Sequence, residues 1–131
     1  MTDLARSTIH RMVEAMNRHD AEAAVEAFAA EVVFWEPSYD EPRRGRDAVR
    51  RDLVGFFAML PDIQFTSESI LADGNRICHE WIYRATYGGR PIELRECSIG
   101  RLDGEGRLTE VRVYFDRLTL LRQLGLAPDH P

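Results

Sequence analysis

Four strand-like segments joined by glycine turns fill the second half of the chain and constrain its fold most. Apolar and polar residues alternate with a period of two over residues 63–72, 76–87, 90–102 and 107–115. The connections are strong hairpin signals: Asp73-Gly74, Gly88-Gly89 and Asp103-Gly104-Glu105-Gly106. The sequence therefore predicts an antiparallel meander of four long strands. Because such a sheet must cover its apolar face, other elements have to pack against it.

Helical spacing in the first half of the chain predicts those elements. Thr2 or Asp3 can cap a first helix, and Asp20 and Asp116 are good N-caps for later ones. The further predicted helices span residues 21–29, 46–60 and 117–124, and a strand over residues 31–36 is ended by Pro37. The order predicts an α+β fold, in which a curved, mainly antiparallel sheet is wrapped by the N-terminal helices into a conical pocket.

Length and charge narrow the possible functions. The 131 residues fit one domain over residues 1–131, and a net charge of −5 with interspersed signs argues against nucleic acid as a partner. Charged side chains interrupt the first 20 residues, and no apolar run of 18 residues occurs, so we expect neither a signal peptide nor a membrane span. Cys78 and Cys97 lie outside any ligand cluster, which favours a reduced, cytoplasmic protein.

Glu36 is the strongest candidate for a catalytic residue. Val32, Phe34 and Glu36 share one side of their strand, so the carboxyl group would occupy the last inward-facing position. Partial burial there raises the pKa of a carboxyl group toward the range that suits a general base. The alternative is that Glu36 turns outward after Phe34 and is a solvated acid of the following loop.

Alternation along the meander selects the other candidates. His79 and Trp81 share an apolar face of the second segment, and Val113 and Phe115 share that of the fourth. The third segment is ambiguous, because Leu94, Glu96 and Ser98 occupy one face, Arg95, Cys97 and Ile99 the other, and each face carries a charge.

Each polar candidate has two interpretations. His79 is either a proton shuttle or a hydrogen-bonded core residue. Asp116 is either a helix cap alone or a cap that also lies at the pocket rim, and Tyr39 could donate to an oxyanion. No nucleophile elbow, phosphate loop or metal-ligand spacing occurs in the sequence. We therefore expect acid–base chemistry without a metal or cofactor.

Several short motifs, in this order, resemble the nuclear transport factor 2-like superfamily, and specifically its SnoaL-like polyketide cyclases, ketosteroid isomerases and limonene-epoxide hydrolases. The motifs are Met16-Asn17-Arg18-His19-Asp20, Phe34-Trp35-Glu36-Pro37, Gly45-Arg46-Asp47-Ala48-Val49, Ala72-Asp73-Gly74-Asn75-Arg76, Tyr114-Phe115-Asp116 and Leu121-Arg122-Gln123-Leu124-Gly125. The resemblance implies a single SnoaL-like domain with a cystatin-like α+β roll, which often dimerises through the outer face of its sheet.

Only some of the catalytic residues of these families have a counterpart in this sequence. Glu36 falls where ketosteroid isomerases place their proton-shuttling Asp, whereas their oxyanion-hole Tyr and Asp fall on Met12 and Ser98. The Arg and Asp residues of the epoxide hydrolases fall on His79, Trp81 and Val113, so that triad is absent too. The cyclase branch has its acid–base Asp near the last strand, where Asp116 is the nearest acid.

These observations predict a cofactor-independent enzyme with a carboxylate base, an isomerase, cyclase or related lyase or hydrolase. Its substrate would be a small, largely apolar, carbonyl-bearing molecule. The predicted catalytic residues are Glu36, His79 and Asp116, and the predicted substrate-binding residues are Phe34, Tyr39, Trp81, Glu96, Ser98, Val113 and Phe115. The alternative is a non-catalytic small-molecule-binding or dimeric interaction module of the same fold. We expect a homodimer in either case.

Overall fold

The computed structural model describes residues 2–128, which form four helices and six strands. In chain order these are α1 (Thr2–Asn17), α2 (Ala21–Val25), β1 (Phe28–Trp35), β2 (Arg43–Arg44), α3 (Arg46–Met59), β3 (Gln64–Asp73), β4 (Arg76–Tyr87), β5 (Arg90–Leu102), β6 (Leu108–Phe115) and α4 (Arg117–Gln123). None of these helices is both long and apolar enough to cross a membrane.

One curved, unclosed sheet with the strand order β2-β1-β6-β5-β4-β3 forms the frame of the molecule. The pairs β3–β4, β4–β5 and β5–β6 are antiparallel hairpins, and β1 joins the edge of β6 in parallel. The predicted α+β fold and its four-stranded meander are confirmed. The meander is predicted well because its alternation and its glycine turns are both local signals.

The boundary between α2 and β1 is where the prediction is wrong. The predicted helix over residues 21–29 ends at Val25, and the predicted strand over residues 31–36 begins at Phe28 instead. The sheet decides this boundary: Phe28 pairs with Leu108, whose backbone N–H donates to the Ala27 carbonyl oxygen at 2.7 Å. The two-residue strand β2, which pairs antiparallel with β1, is not predicted either.

Two polar side chains fix α1 across the sheet. Thr8 Oγ1 donates to the Gly106 carbonyl oxygen at 2.7 Å, and Asn17 makes a two-way hydrogen bond with the backbone of Phe65. Gly106 has φ +80° and lies so close to Leu4 of α1 that an added Cβ would be 2.6 Å from its Cγ. The helix therefore stands at a fixed distance from the strands, which leaves room for a cavity beneath it.

We expect Asn17→Ala to lower the free energy of unfolding by about 1 to 3 kcal/mol, because it leaves a partly buried N–H and C=O of Phe65 without partners. Urea denaturation measures the loss. Asn75→Ala in the exposed β3–β4 turn is the matched control and should leave stability nearly unchanged. Equal stability of the two variants would contradict a clamping role for Asn17.

Candidate functional site

A cavity of about 400 Å³ lies between the inner face of the sheet and the helices α1 and α3. Its wall is mostly apolar, and eight aromatic side chains contribute to it. The polar residues in the wall are Glu36, Ser38, Tyr39, Asp52, His79, Tyr83, Glu96 and Ser98. No lysine or arginine lines the cavity within the described part of the chain. The chamber thus has the size for a small organic molecule and carries only acidic or neutral polar groups.

The strand register brings most of the predicted residues together in two neighbouring rows across the sheet. In the first row, Val113 of β6 pairs with Ser98 of β5, which pairs with His79 of β4. The second row is formed in the same way by Phe115, Glu96 and Trp81. This register settles the ambiguous face of β5, because Leu94, Glu96 and Ser98 are buried on the inner side.

Glu36 lies one residue beyond the end of β1, where its half-buried carboxyl group lines the cavity. Burial raises the pKa of Glu36 above its ordinary value, opposed by a hydrogen bond from the Ser38 backbone and by the charges of Arg117 and Arg43. The location in the wall agrees with the inward position that the strand pattern predicts. The catalytic role of Glu36 stays a prediction.

Glu96 is the most buried carboxyl group in the cavity wall, with 8% of the residue exposed. Burial, followed by the charge of Glu36, raises the pKa of Glu96 to about 8. Among residues 2–128, no side chain or backbone N–H donates a hydrogen bond to its carboxyl group, although such groups are normally paired when buried. Glu96 is therefore largely protonated at neutral pH.

His79 is almost fully buried and is held by Ser67 of β3. Its Nε2 lies 2.8 Å from Ser67 Oγ, and 2% of the residue is exposed. Burial and the charge of His10 lower the pKa of His79 to about 4. The ring is thus neutral at physiological pH, and it lines the cavity while being hydrogen-bonded within the core.

Trp81 and Ser98 form a hydrogen-bonded pair in the floor of the cavity. The Trp81 indole N–H donates to Ser98 Oγ at 3.1 Å, so the indole donor is already used inside the protein. Among the described residues nothing accepts the Ser98 hydroxyl hydrogen, which can therefore be donated to a ligand. Of the two, Ser98 is the better candidate for a polar contact with a ligand, and the Trp81 ring forms part of the apolar wall.

Tyr39 stands over the edge of the cavity, where its hydroxyl group donates to Asp52 Oδ2 at 3.0 Å. Burial and the charge of Asp52 raise the pKa of Tyr39. Arg43 lies over the Tyr39 ring at 4.0 Å and bonds the same Asp52 oxygen at 3.2 Å. The Tyr39 hydroxyl, which is predicted to donate to an oxyanion, therefore already donates to the Asp52 carboxylate. The sequence does not predict Asp52 as a site residue, although its spacing from Val49 and Phe56 places it on the apolar stripe of α3.

Asp116 is not brought into the cavity. It is exposed at the start of α4, where Oδ1 accepts the Leu118 backbone N–H at 3.0 Å and Oδ2 accepts the Thr119 hydroxyl at 2.7 Å. These hydrogen bonds lower the pKa of Asp116. The helix-cap interpretation of Asp116 is confirmed, and the geometry gives no support to a role at the pocket rim.

A family model described as a SnoaL-like domain matches residues 9–111. The chain belongs to the SnoaL-like family. The match begins in α1 and ends in β6, so it spans both the helices and the strands that enclose the cavity. Comparison with curated proteins gives no match.

Solved structures share the fold of this SnoaL-like protein over nearly its whole length. A loop-truncation variant of IdmH is 28% identical, with a TM-score of 0.81 over 92% of this chain and 99% of that one. Wild-type IdmH, a candidate polyketide cyclase from Streptomyces antibioticus, is 26% identical, with a TM-score of 0.79 over 92% and 98%. An LEH-like epoxide hydrolase from M. tuberculosis is 20% identical, with a TM-score of 0.79 over 94% and 90%, and shows the fold alone.

Proposed function

We propose that this SnoaL-like protein is a cofactor-independent acid–base enzyme, an isomerase, cyclase or related lyase or hydrolase. Its substrate is a small, largely apolar, carbonyl-bearing molecule held in the cavity. The observation that carries the proposal is the half-buried Glu36 carboxyl group in the wall of an apolar chamber of about 400 Å³, where burial raises its pKa. A carboxylate in that setting is a stronger base than one in water.

Glu36 would act on a carbon atom next to the substrate carbonyl group. Its carboxylate takes a proton from that carbon, and the electron pair moves to the carbonyl oxygen as an enolate forms. Where a double bond is conjugated with the enolate, returning the proton to a different carbon isomerises the substrate. Alternatively the enolate attacks a second carbonyl group, which closes a ring, and the new alkoxide takes the proton back from Glu36. Of the other two predicted catalytic residues, only His79 lines the cavity, and burial keeps its imidazole neutral by lowering its pKa to about 4.

The similarity to IdmH supports this class of reaction. That protein is a candidate polyketide cyclase and covers the same elements at 26% identity. Polyketide cyclisation by aldol condensation forms a carbon–carbon bond next to a carbonyl group, a step that a positioned base promotes. The mostly apolar wall, to which no arginine among residues 2–128 contributes, suits an uncharged substrate of that kind.

A non-catalytic binding module is the second candidate function. It is favoured by the hydrogen bonds that already occupy the Tyr39 hydroxyl and the Trp81 indole N–H. It is also favoured by Met12 and Ser98, which stand where the resemblance to ketosteroid isomerases places acidic donors. A binding module would keep the cavity and lose nothing when the Glu36 charge is removed.

A screen by ligand-dependent melting temperature tests the two candidates. Wild type and Glu36→Gln are screened together against steroids, aromatic polyketides, terpenoid epoxides and small keto acids. A ligand that binds only the folded state raises the melting midpoint, so hits are found without a turnover assay. Turnover of a hit by wild type that is lost in Glu36→Gln supports the enzyme, even where both proteins bind the hit equally. Hits that both proteins bind and neither turns over support the binding module.

We further propose that the protein is a single domain that works in the cytoplasm as a homodimer through the outer face of the sheet. Leu71 and Tyr114 point to that face and are 65% and 44% exposed. We expect Leu71→Glu with Tyr114→Glu to shift sedimentation velocity from a dimer to a folded monomer, because two charges would be buried at the contact. Unchanged sedimentation would contradict this interface.

A further inference from the structure

Among the described residues, Glu96 carries the strongly buried carboxyl group of the cavity wall that the proposed reaction does not use. It is more than nine-tenths buried, it faces the cavity from the centre of β5, and no described residue donates a hydrogen bond to it. Its neighbours in the row are Phe115 and Trp81, neither of which can compensate a negative charge. A carboxyl group in such a place is stable when it is neutral or when a ligand partners it.

The charges around Glu96 favour the neutral form. The titratable groups that line the same cavity from α3, from the loop after β1 and from the sheet are Asp52, Glu36, Tyr39, His79 and Tyr83. The two other acids are negative when ionised, and the neutral His79 offers no compensating charge. No described lysine or arginine lines the cavity. Glu96 can therefore offer an O–H donor to whatever occupies the chamber.

We propose that Glu96 is the second catalytic carboxyl group of this site, and that its protonated form donates to the carbonyl oxygen of an uncharged ligand. This inference rests on the proposed function, in which Glu36 is the base. It replaces Asp116, which lies outside the cavity, and His79, whose Nε2 already meets Ser67. It also defines the substrate class: the ligand carries a hydrogen-bond acceptor among apolar surfaces and no anionic group, because no described cationic side chain lines the wall to pair with an anion.

The protons balance without a co-reactant. Glu36 removes a proton from carbon, so a C–H bond breaks and an O–H bond forms on its carboxyl group. The electron pair moves to the carbonyl oxygen, which accepts the Glu96 proton and becomes an enol while Glu96 becomes a carboxylate. Where a double bond is conjugated with the enol, Glu36 delivers its proton to a different carbon and the enol O–H proton returns to Glu96. This yields the isomer and restores the Glu36 carboxylate and the protonated Glu96. The donor offsets the charge that develops on oxygen in the transition state.

Infrared difference spectroscopy tests the protonation state without any ligand. The C=O stretch of a protonated carboxyl group is separate from the bands of a carboxylate, so the wild-type spectrum minus that of Glu96→Gln isolates this group. At pH 6 we expect a protonated-carboxyl band in wild type that the variant lacks, and we expect it to titrate away with a midpoint near pH 8. A difference spectrum without this band at pH 6 would overturn the proposal.

Matched probe molecules test the donation itself. The probes are 2-acetylnaphthalene, which has a carbonyl oxygen, and 2-isopropenylnaphthalene, which has a CH₂ group in its place. The measured quantity is the Kd of the hydrocarbon divided by the Kd of the ketone. At pH 6 we expect this ratio to be roughly three- to tenfold larger in wild type than in Glu96→Leu, which is the effect of one hydrogen bond. Glu93→Gln, on the same strand but in an exposed surface ion pair with Arg84, should keep the wild-type ratio.

Two outcomes contradict the proposal. Equal ratios in wild type and Glu96→Leu would mean that Glu96 donates nothing to the ligand. Tighter binding of 1-(2-naphthyl)ethylamine than of the ketone, lost in Glu96→Gln, would mean that Glu96 is an anionic partner for a cation. None of these probe measurements requires proton removal by Glu36. The result for Glu96 therefore stands whether or not Glu36 proves to be a base.

Discussion

Glu36→Gln is expected to lower kcat by roughly a thousandfold on any substrate that the site turns over, because the amide cannot accept a proton from carbon. The substitution keeps the size of the side chain and can still accept the Ser38 hydroxyl hydrogen, so the shape of the cavity wall should persist. KM should change little, since the carboxylate acts on the transition state more than on the bound substrate. Steady-state kinetics on a ligand found by the melting screen provide the measurement.

The pH profile of kcat/KM gives an independent check on Glu36. A base must be deprotonated to act, so activity should rise with pH through the pKa of Glu36, which burial places above its ordinary value. Because the carboxyl groups of Glu36 and Glu96 interact, the observed steps belong to the pair. Glu93→Gln should retain both the rate and the profile. Turnover within a few-fold of wild type in Glu36→Gln would rule out Glu36 as the base.

The parts of the fold that the sequence predicts well are those that local signals determine. The hairpins follow from Gly74, Gly88 and Gly89, which all have positive φ. The location of Glu36 in the cavity wall follows from its place at the end of an alternating strand. The end of α2 could not be predicted, because Phe28 pairs in the sheet with Leu108, which lies eighty residues later in the chain. Long-range pairing overrides helical propensity there.

The site was harder to predict than the fold for a related reason. Alternation shows that Glu96 and Ser98 share a face of β5, but it does not show which face is inside when Arg95 carries a charge on the other. The register with Trp81 and Phe115 settles it, and that register is a property of the assembled sheet. Burial then turns an ordinary glutamate into a largely protonated acid, which no local pattern reveals.

Burial of Glu96 should also make stability depend on pH in a way that one substitution isolates. An unfolded glutamate has a pKa of about 4.3, whereas the native pKa of Glu96 is about 8. Between these values the native state binds one proton more than the unfolded chain, so the contribution of Glu96 to stability falls as pH rises. His79, whose native pKa is about 4, has the opposite sign, because its contribution rises with pH up to its unfolded pKa.

We expect the free energy of unfolding of Glu96→Gln minus that of wild type to increase by about 3 to 4 kcal/mol between pH 5 and pH 8, since glutamine does not titrate. That is on the order of 10 °C in melting temperature for a domain of this size. The contribution of His79 is present in both proteins and cancels in the comparison. Urea denaturation at several pH values is the measurement, and Glu93→Gln should follow wild type throughout. Parallel curves for Glu96→Gln and wild type would mean that Glu96 ionises as an exposed glutamate does, and the buried acid donor would then not exist.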